Sequence, residues 1–294
     1  MKIINESIDN NQLYSLDDFK KFAGTTQVVQ ATVVSYHEDE GIVFDLGNNI
    51  KGHMLPFNFD EGSTYPKNTI ISFIGRKIQA YVDSVEEDTV YLNRVNLQID
   101  YKLNFLDNLE IGSIIDTKVL SIAPFGVFVD LGYGILGLLP IGDISIARFS
   151  NINDVFSKGD DIKVIYRGMG KSGYIVSHKE LLGTWEENLA DFRVGEYCQG
   201  IVRELKPYGA FIELSPNFTG LAEVPQGFPI KVGDTVCVKL KSANPEKLKV
   251  KLSLISPGHS EYKVKYTYKA QDGVIKYWRY TPENSQKCIE TIFE

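Results

Sequence analysis

The chain has 294 residues, with 31 basic and 38 acidic side chains and a net charge of −7 at pH 7. Its 43% hydrophobic and 23% charged content is typical of a folded globular protein rather than a disordered one. No apolar run approaches the ~20 residues that span a bilayer, and the amino terminus lacks an apolar signal segment. We therefore expect a cytoplasmic protein without a membrane partner.

Cysteine and histidine usage argues against metal and nucleophile chemistry. None of the cysteines has a CxxC spacing, and no two histidines have the spacing of metal ligands or of a nucleophile and its base. The residues are Cys198, Cys237, Cys288, His37, His53, His178 and His259. We expect a reducing compartment, no metal, no cofactor, and a binding protein rather than an enzyme.

Residues 1–23 contain one amphipathic segment. Leu16, Phe19 and Phe22 recur at helical spacing, and Ser15 precedes them as an N-cap. This pattern predicts a lead-in helix within residues 1–23.

Short β-type segments follow. The predicted strands cover residues 27–35, 41–46, 70–74, 79–85 and 89–93. Five short strands in a unit of this size indicate a small closed barrel.

The segment 124–140, PFGVFVDLGYGILGLLP, combines a half-buried strand with two aromatic rings. Its inward positions alternate at Val127, Val129 and Leu131. Phe128 therefore points outward. Phe125 would face the other way in an unbroken strand, but Gly126 could supply a β-bulge that brings both rings to one side. We expect a stacking platform there, unless a neighbouring unit covers the rings.

The same pattern recurs twice. In residues 206–224, Tyr208, Gly209 and Phe211 repeat the two rings and the glycine between them. In residues 38–56, Gly41 keeps the glycine position while Glu40 and Val43 replace the rings. The glycines are 85 residues apart (41 to 126) and 83 apart (126 to 209), so we infer three repeats, the first degenerate.

The connectors between repeats, 95–109 and 179–192, have helical patterns. Trp185 shares a face with Leu189 and Phe192, which favours a packing role over ligand contact. The GKS within residues 168–173 lacks the first P-loop glycine and precedes a strand, so it indicates a hairpin turn.

Residues 256–294 break the repeat pattern. Segments 261–269 and 274–282 flank Asp272 and Gly273, which predicts a β-hairpin, with 287–293 as a third strand. At 39 residues this extension is too small to fold alone, so we expect it to pack on the third repeat or on another subunit. Its lysine and tyrosine face could instead contact RNA.

Several further motifs repeat between the second and third units. They are an opening glycine (Gly112, Gly195), the FGVFV or YGAFI element, a following GLL or GLA, and the KGD or VGD at 158–160 and 232–234. These motifs resemble the RNA-binding repeat named after ribosomal protein S-one, a five-stranded OB-fold barrel. The resemblance covers about 230 residues.

The resemblance implies an all-β chain of three tandem five-stranded OB-fold barrels joined by short helices, with a C-terminal β-hairpin or three-stranded extension. The implied domains are a lead-in helix 1–23, a degenerate repeat 24–96, RNA-binding repeats 111–182 and 194–255, and the extension 256–294. Repeats of this family bind single-stranded RNA on the face that carries the aromatics.

The sequence departs from the family pattern at several positions. Pro140 and Glu223 stand where a histidine is common, and Gly173 and Lys249 stand where an arginine is common. By segment, residues 24–96 hold 5 basic and 10 acidic side chains, 111–182 hold 7 and 7, and 194–255 hold 8 and 6. The acidity is therefore concentrated in the repeat that lacks the rings.

The candidate RNA-binding residues are the four rings and the basic residues around them. In the second repeat they are Phe125, Phe128, Lys118, Arg148, Arg167 and Lys171. In the third they are Tyr208, Phe211, Arg203, Lys206, Lys241 and Lys249.

The leading hypothesis is a protein that holds single-stranded RNA, specifically messenger RNA in translation, by aromatic stacking and phosphate contacts. By resemblance, the acidic first repeat would dock a protein, such as the small ribosomal subunit. The alternatives are a protein-binding adaptor or regulator of RNA metabolism, and an RNA-targeting accessory to a nuclease.

Overall fold

The computed structural model describes residues 14–61, 70–147, 149, 151–171, 173–258 and 267–294. Within them the chain forms three closed five-stranded barrels and a two-stranded C-terminal sheet, with few helices. This confirms the predicted all-β fold class. The described chain divides into two compact units, one of residues 14–109 with 132–135 and one of residues 110–131 with 136–294.

The first unit contains one barrel. Its strands are β1 (Val28–His37), β2 (Gly41–Asp45), β3 (Lys51–Met54), β4 (Lys77–Glu86) and β5 (Thr89–Asn93). They close in the order β1-β2-β3-β5-β4, with β3 and β5 parallel and the other pairs antiparallel. Helix α1 (Leu16–Phe22) precedes the barrel and helix α2 (Arg94–Asn104) follows it.

Helix α1 closes the core of this unit. Ser15 caps it through a capping box with Asp18, which satisfies backbone donors at the helix start. Phe19 is 1% exposed and packs with the alternating inward residues of the strands, such as Val29 and Phe44. The predicted lead-in helix and its N-cap are confirmed by this geometry.

The predicted strand at 70–74 is wrong. Those residues form helical turns in which Phe73 N donates to Ile70 O (2.9 Å) and Ile74 N donates to Ile71 O (3.1 Å). Ile70 is buried and the Phe73 ring packs on Phe59 with the centroids 5.1 Å apart. The apolar residues therefore lie on one side of a helical turn that packs on the core. The third strand is β3, which is only four residues long and carries an exposed Lys51, so its strand pattern is weak.

The second unit contains two barrels. The strands of its first barrel are β6 (Ile114–Ala123), β7 (Gly126–Asp130), β8 (Leu136–Pro140), β9 (Asp161–Gly170) and β10 (Gly173–Ser177). Those of its second barrel are β11 (Tyr197–Lys206), β12 (Gly209–Ser215), β13 (Phe218–Glu223), β14 (Thr235–Asn244) and β15 (Lys249–Pro257). Both barrels have the strand order of the first. Helix α3 (Trp185–Leu189) lies between them in sequence, and Trp185 is 3% exposed in the core of the later barrel.

The β-bulge lies in a different place from the one predicted at Gly126. Each barrel has a register shift in its opening strand, where Val34, Leu120 and Arg203 are the extra residues. Gly126 pairs regularly with Ala123 and Pro140.

The repeated glycines are required because the backbone of the facing strand comes too close to leave room for a side chain. A Cβ on Gly126 would lie 2.4 Å from the carbonyl oxygen of Leu139. The equivalent distances are 2.7 Å from Gly41 to Met54 O and 2.5 Å from Gly209 to Ala222 O. Any side chain at these positions would push the second and third strands of the barrel apart.

The C-terminal extension forms a small sheet of β16 (Tyr277–Arg279) and β17 (Glu290–Ile292). The predicted third strand therefore pairs with the segment after Gly273. The other predicted partner, 261–269, lies mostly outside the described residues, and Tyr268 and Lys269 are not in a strand.

The extension packs on both barrels of its unit, whereas the sequence predicted packing on the third repeat or on another subunit. Phe293 is buried with Ile114, Ile165 and Leu181. Trp185 N donates to Tyr280 O (2.9 Å), and Thr291 Oγ1 donates to Glu180 Oε1 (2.8 Å). Among the described residues no helix is long and apolar enough to cross a membrane.

Candidate nucleic-acid interface

Two phenylalanines lie together at the β6–β7 hairpin. Phe125 occupies the two-residue turn and is 57% exposed, while Phe128 points outward from β7 and is half-buried. Their ring centroids are 5.9 Å apart with the planes at 89°. Ile141 N donates to Phe125 O (2.9 Å), which fixes the turn against the end of β8.

The later barrel repeats this arrangement at the β11–β12 hairpin. Tyr208 is in the turn and is 62% exposed, and Phe211 points outward from β12 and is half-buried. Their centroids are 6.3 Å apart with the planes at 84°. The two sets are called here the first and second aromatic pairs.

The edge-to-face geometry determines how a ligand would meet these rings. In each pair the planes are nearly perpendicular, so the two rings do not form one flat surface. A planar base can stack on the face of one ring while the other ring borders it. Each pair therefore offers one stacking position with a side wall.

The strand register places further side chains beside the second aromatic pair. Phe211 is opposite Leu221 on β13, and Leu221 is opposite Lys251 on β15. Lys251 and Lys249 are exposed on the same face, because Val250 and Leu252 point into the core. Sequence reasoning missed Lys251, because alternation along β15 shows only that it faces outward and the strand register is what places it beside the second pair.

The equivalent row in the earlier barrel of this unit is apolar. Phe128 is opposite Leu138, which is opposite Ile175 on β10. Leu136, on the same face of β8, is 52% exposed. The first aromatic pair therefore extends into an apolar strip where the second extends to lysines.

The first unit carries a different pair on the same row. Val43 is opposite His53 on β3, and His53 is opposite Tyr91 on β5. The His53 and Tyr91 rings lie 5.5 Å apart at 73°. Comparison of the three repeats examined only the ring positions, which Glu40 and Val43 occupy in this unit. It missed the His53 and Tyr91 rings because they lie on the neighbouring strands β3 and β5.

Two of the four basic candidates of the second repeat are in ion pairs. Lys118 Nζ lies 2.7 Å from Asp161 Oδ1, and Arg167 Nη1 lies 3.1 Å from Asp143 Oδ2. Lys171 is exposed in the β9–β10 turn. Arg148 lies outside the described residues.

Three basic candidates of the third repeat are exposed. Lys206 lies at the end of β11 with its Nζ 2.6 Å from Glu204 Oε1. Lys241 is the extra residue of a bulge in β14, and Lys249 begins β15 near the second aromatic pair.

Arg203 departs from its expected role. It is 5% exposed, its Nε donates to Glu213 Oε2 (2.6 Å), and its Nη1 donates to Asp154 O (3.3 Å). Burial raises the pKa of the Glu213 carboxyl, and the charge of Arg203 opposes that rise. The guanidinium is thus buried and hydrogen-bonded within the protein, and we leave Arg203 out of the proposed interface.

No metal site emerges from the part of the chain that the structure describes. Within it, no group of three or more histidine, cysteine, aspartate or glutamate side chains could hold an ion. Cys198 and Cys237 are partly buried free thiols, and burial raises the pKa of Cys198 to about 11.

The strand order 1-2-3-5-4 in each closed barrel defines the OB-fold class, whose members bind oligonucleotides and oligosaccharides. A family model described as S1 RNA binding domain, the ribosomal protein S-one repeat, matches residues 108–166. These matches confirm that the chain resembles proteins built from S1-type RNA-binding repeats.

The curated relatives are longer than this chain. It is 29% identical to the "Small ribosomal subunit protein bS1 homolog" of Bacillus subtilis, over 81% of this chain and 65% of that protein. It is 33% identical to the "Small ribosomal subunit protein bS1" of Leuconostoc lactis, over 50% of this chain and 37% of that protein. The chain thus spans less than two thirds of either relative.

Among solved structures, a multidomain protein with nucleic acid binding domains from Streptococcus pneumoniae is 14% identical. That match covers 78% of this chain and 73% of that chain, with a TM-score of 0.25.

Proposed function

We propose that this chain binds single-stranded RNA through the first and second aromatic pairs. The observation that carries the proposal is the repetition of one exposed ring arrangement on two barrels. Phe125 and Tyr208 are each more than half exposed, and each has its partner ring about 6 Å away at nearly a right angle.

The chemistry of this binding is stacking supported by phosphate contacts. Stacking of a base on an aromatic side chain contributes ~1–3 kcal/mol and accepts any base. Lys249 and Lys251 beside the second pair, and Lys171 in the β9–β10 turn, are the cations we assign to phosphates. Lys118, Arg167, Lys206 and Lys241 are second-rank candidates, because three of them already have carboxylate partners.

Linking the pairs strengthens the binding. Both pairs lie in the same compact unit, so one RNA strand that engages the first is held near the second. The effective concentration for the second contact rises, and two weak sites together hold the strand firmly.

A role in translation is the biological setting that the relatives support. Both named relatives are small ribosomal subunit proteins, so we propose that this chain holds messenger RNA in the cytoplasm and acts as a binding protein rather than an enzyme. We retain 24–96, 111–182 and 194–255 as the proposed repeat boundaries, with 1–23 and 256–294 as flanking segments.

A docking role for the first repeat is the accompanying proposal. Its segment 24–96 holds twice as many acidic as basic residues, and Phe57 is 68% exposed beside them. An acidic surface with an exposed aromatic favours a basic protein over RNA. We propose the small ribosomal subunit as that partner.

The test is fluorescence anisotropy of a labelled single-stranded RNA over a range of salt concentrations. We expect Phe128→Ala and Phe211→Ala each to weaken binding by roughly 5- to 150-fold, which corresponds to the loss of one stacked base. Tyr197→Ala is the matched control, since Tyr197 is 58% exposed at the far end of β11. Wild-type affinity in both ring variants would contradict the proposal.

The alternative is a protein-binding adaptor, which the acidic first repeat favours. An adaptor would retain its partner in a pull-down after Phe128→Ala and Phe211→Ala. It would lose that partner when Phe57 is changed to serine.

A further inference from the structure

The C-terminal extension has apolar anchors in both barrels of the second unit, although it carries neither aromatic pair. Phe293, just after β17, is 4% exposed and packs with Ile114 of β6 in the earlier barrel. Trp278 on β16 and Tyr280 just after it are 7% and 5% exposed in the core of the later barrel. The extension is therefore buried against each barrel through aromatic side chains.

Backbone pairing joins the extension to the earlier barrel at the start of β6. Ile275 N donates to Gly112 O, and Ile114 N donates to Gly273 O, both at 2.9 Å. These two bonds flank an isolated antiparallel bridge. The opening glycine Gly112 is required at this contact, because a Cβ there would clash with the carbonyl oxygen of Ile275.

A buried polar contact adds to this attachment. Thr291 on β17 donates from its Oγ1 to Glu180 Oε1 (2.8 Å), and Ser177 Oγ donates to Glu180 Oε2 (2.5 Å). Glu180 is 2% exposed, so its carboxylate accepts from these hydroxyls in place of water. Loss of the Thr291 hydroxyl would leave a buried acceptor short of a donor, which is unfavourable for the docked extension.

Tyr280 attaches the extension to the later barrel. Its hydroxyl donates to Asn217 O (2.5 Å), and its carbonyl accepts from Trp185 N (2.9 Å). The side chain of Asn217 contacts the earlier barrel's connection after β8, where its Oδ1 accepts from Ile146 N (2.8 Å). The extension thus supports the turn through which the two barrels contact each other directly.

We propose that the C-terminal extension holds the two barrels of the second unit in one relative orientation, which lets a single RNA strand engage both aromatic pairs. The inference rests on the proposed RNA binding and gives a role to a segment that lacks the rings. Barrels joined only by the connector around α3 would have to be ordered when the strand binds, and that ordering opposes binding. The extension therefore raises the affinity for long RNA and leaves each pair's own affinity unchanged.

The test compares the Kd of a short and a long labelled oligouridine by fluorescence anisotropy. One OB-fold binds ~4–16 nucleotides, so an RNA of about 5 nucleotides fills one barrel and an RNA of about 30 nucleotides spans both. The ratio of the two Kd values measures the gain from linkage. In the wild type we expect a ratio on the order of 100.

Two variants release the extension from the earlier barrel. Thr291→Val combined with Phe293→Ala removes its side-chain anchors, and Gly112→Ala places a methyl group against Ile275 O. We expect each variant to lower the Kd ratio about tenfold, while the Kd of the short RNA stays within about twofold of the wild-type value.

Each variant has a matched control. Ile292→Ala alters the outer side of β17, where Ile292 is 54% exposed. Gly195→Ala is the equivalent of Gly112→Ala in the later barrel, and the two glycines have similar positive φ values of 93° and 96°. The backbone strain is therefore similar, but a Cβ on Gly195 meets nothing within 4 Å. Both controls should keep the wild-type ratio.

Residual dipolar couplings measure the orientation of the barrels without RNA. In the wild type, the backbone N–H vectors of the two barrels should fit one alignment tensor. In each release variant the two barrels should need different tensors, while their dispersed amide signals show that both remain folded.

The outcomes separate this inference from the proposed function. One shared tensor in both release variants, an unchanged Kd ratio, or an equal loss in Gly112→Ala and Gly195→Ala would overturn the role of the extension while ring-dependent binding of short RNA stands. Absence of RNA binding, or binding that ignores Phe128→Ala and Phe211→Ala, would overturn both.

Discussion

Phe125 and Phe128 lie 5.9 Å apart with ring planes at 89°, although only two residues separate them in sequence. Phe125 is in the hairpin turn and Phe128 is on β7. The turn therefore places the Phe125 ring on the same outer side of the barrel as the Phe128 ring. Tyr208 and Phe211 repeat this relationship at 6.3 Å and 84°. The hairpin itself, rather than a bulge, creates each pair.

The geometry of that hairpin depends on Gly126. We expect Gly126→Ala to lower the free energy of unfolding by roughly 1–3 kcal/mol, because the new Cβ would lie 2.4 Å from Leu139 O. Denaturant titration of the full chain measures the change. Gly142→Ala is the control, since its Cβ meets nothing within 4 Å, and an equal loss in both variants would contradict this explanation.

Lys251 is predicted to contact a phosphate beside the second aromatic pair. Lys251→Ala should reduce the slope of log K against log salt by about 0.7, the contribution of one released counterion on a single strand. Anisotropy titrations at several salt concentrations give the slope.

Lys239→Ala is the control for that slope. Its Nζ lies 5.1 Å from the centre of the Tyr197 ring, away from the second pair. If Lys239→Ala lowers the slope as much as Lys251→Ala does, the two lysines act only through the net charge of the protein. That result would contradict the phosphate contact assigned to Lys251.

Arg203 should matter for folding and not for RNA. Removing it leaves the buried Glu213 carboxylate without its cation, a change that costs about 3–5 kcal/mol. We expect Arg203→Ala to lower the free energy of unfolding by about 3–5 kcal/mol. For the protein that remains folded, the slope of log K for RNA binding against log salt should stay unchanged. A lower slope with normal stability would restore Arg203 to the interface.

The buried His178 should make the folded protein less stable in acid. Its Nδ1–H donates to Ile144 O (2.8 Å), its Nε2 accepts from Tyr268 Oη (3.3 Å), and burial lowers its pKa to about 4. Between pH 6.5 and pH 4 the unfolded chain binds a proton at this histidine and the folded chain does not, so stability falls as the pH falls. The contribution is on the order of 3 kcal/mol for a shift of this size.

Denaturant titrations at pH 7.5 and pH 4.5 measure that contribution. His178→Gln removes the titrating group, so its loss of stability between the two pH values should be smaller than that of the wild type. Equal losses would show that the carboxylates common to both proteins account for the whole acid effect.

Local patterns predicted the parts of the fold that depend on alternation and capping. Val127, Val129 and Leu131 are all fully buried, and Ser15 caps α1. The strand predicted at 70–74 failed because Ile70 and Phe73 use helical spacing to cover one side of the core. Four apolar residues within a segment of five do not distinguish a strand from a helical turn.

The candidate site was less accessible to sequence reasoning, because strand register decides it. Lys251 reaches the second aromatic pair only through β13, and β13 pairs with β15 in parallel. Arg203 is the extra residue of the bulge in β11, and it is buried against Glu213 and the Asp154 carbonyl instead of exposed. Neither the register nor the bulge is encoded in a local pattern.

The most direct test of the account is the affinity of the Phe128→Ala, Phe211→Ala double variant for one long single-stranded RNA. Stacking at two linked pairs predicts a Kd at least about 25-fold above that of the wild type, the product of two losses of at least about fivefold. Tyr197→Ala should bind as the wild type does. A double variant with a wild-type Kd would contradict the claim that these rings hold the RNA.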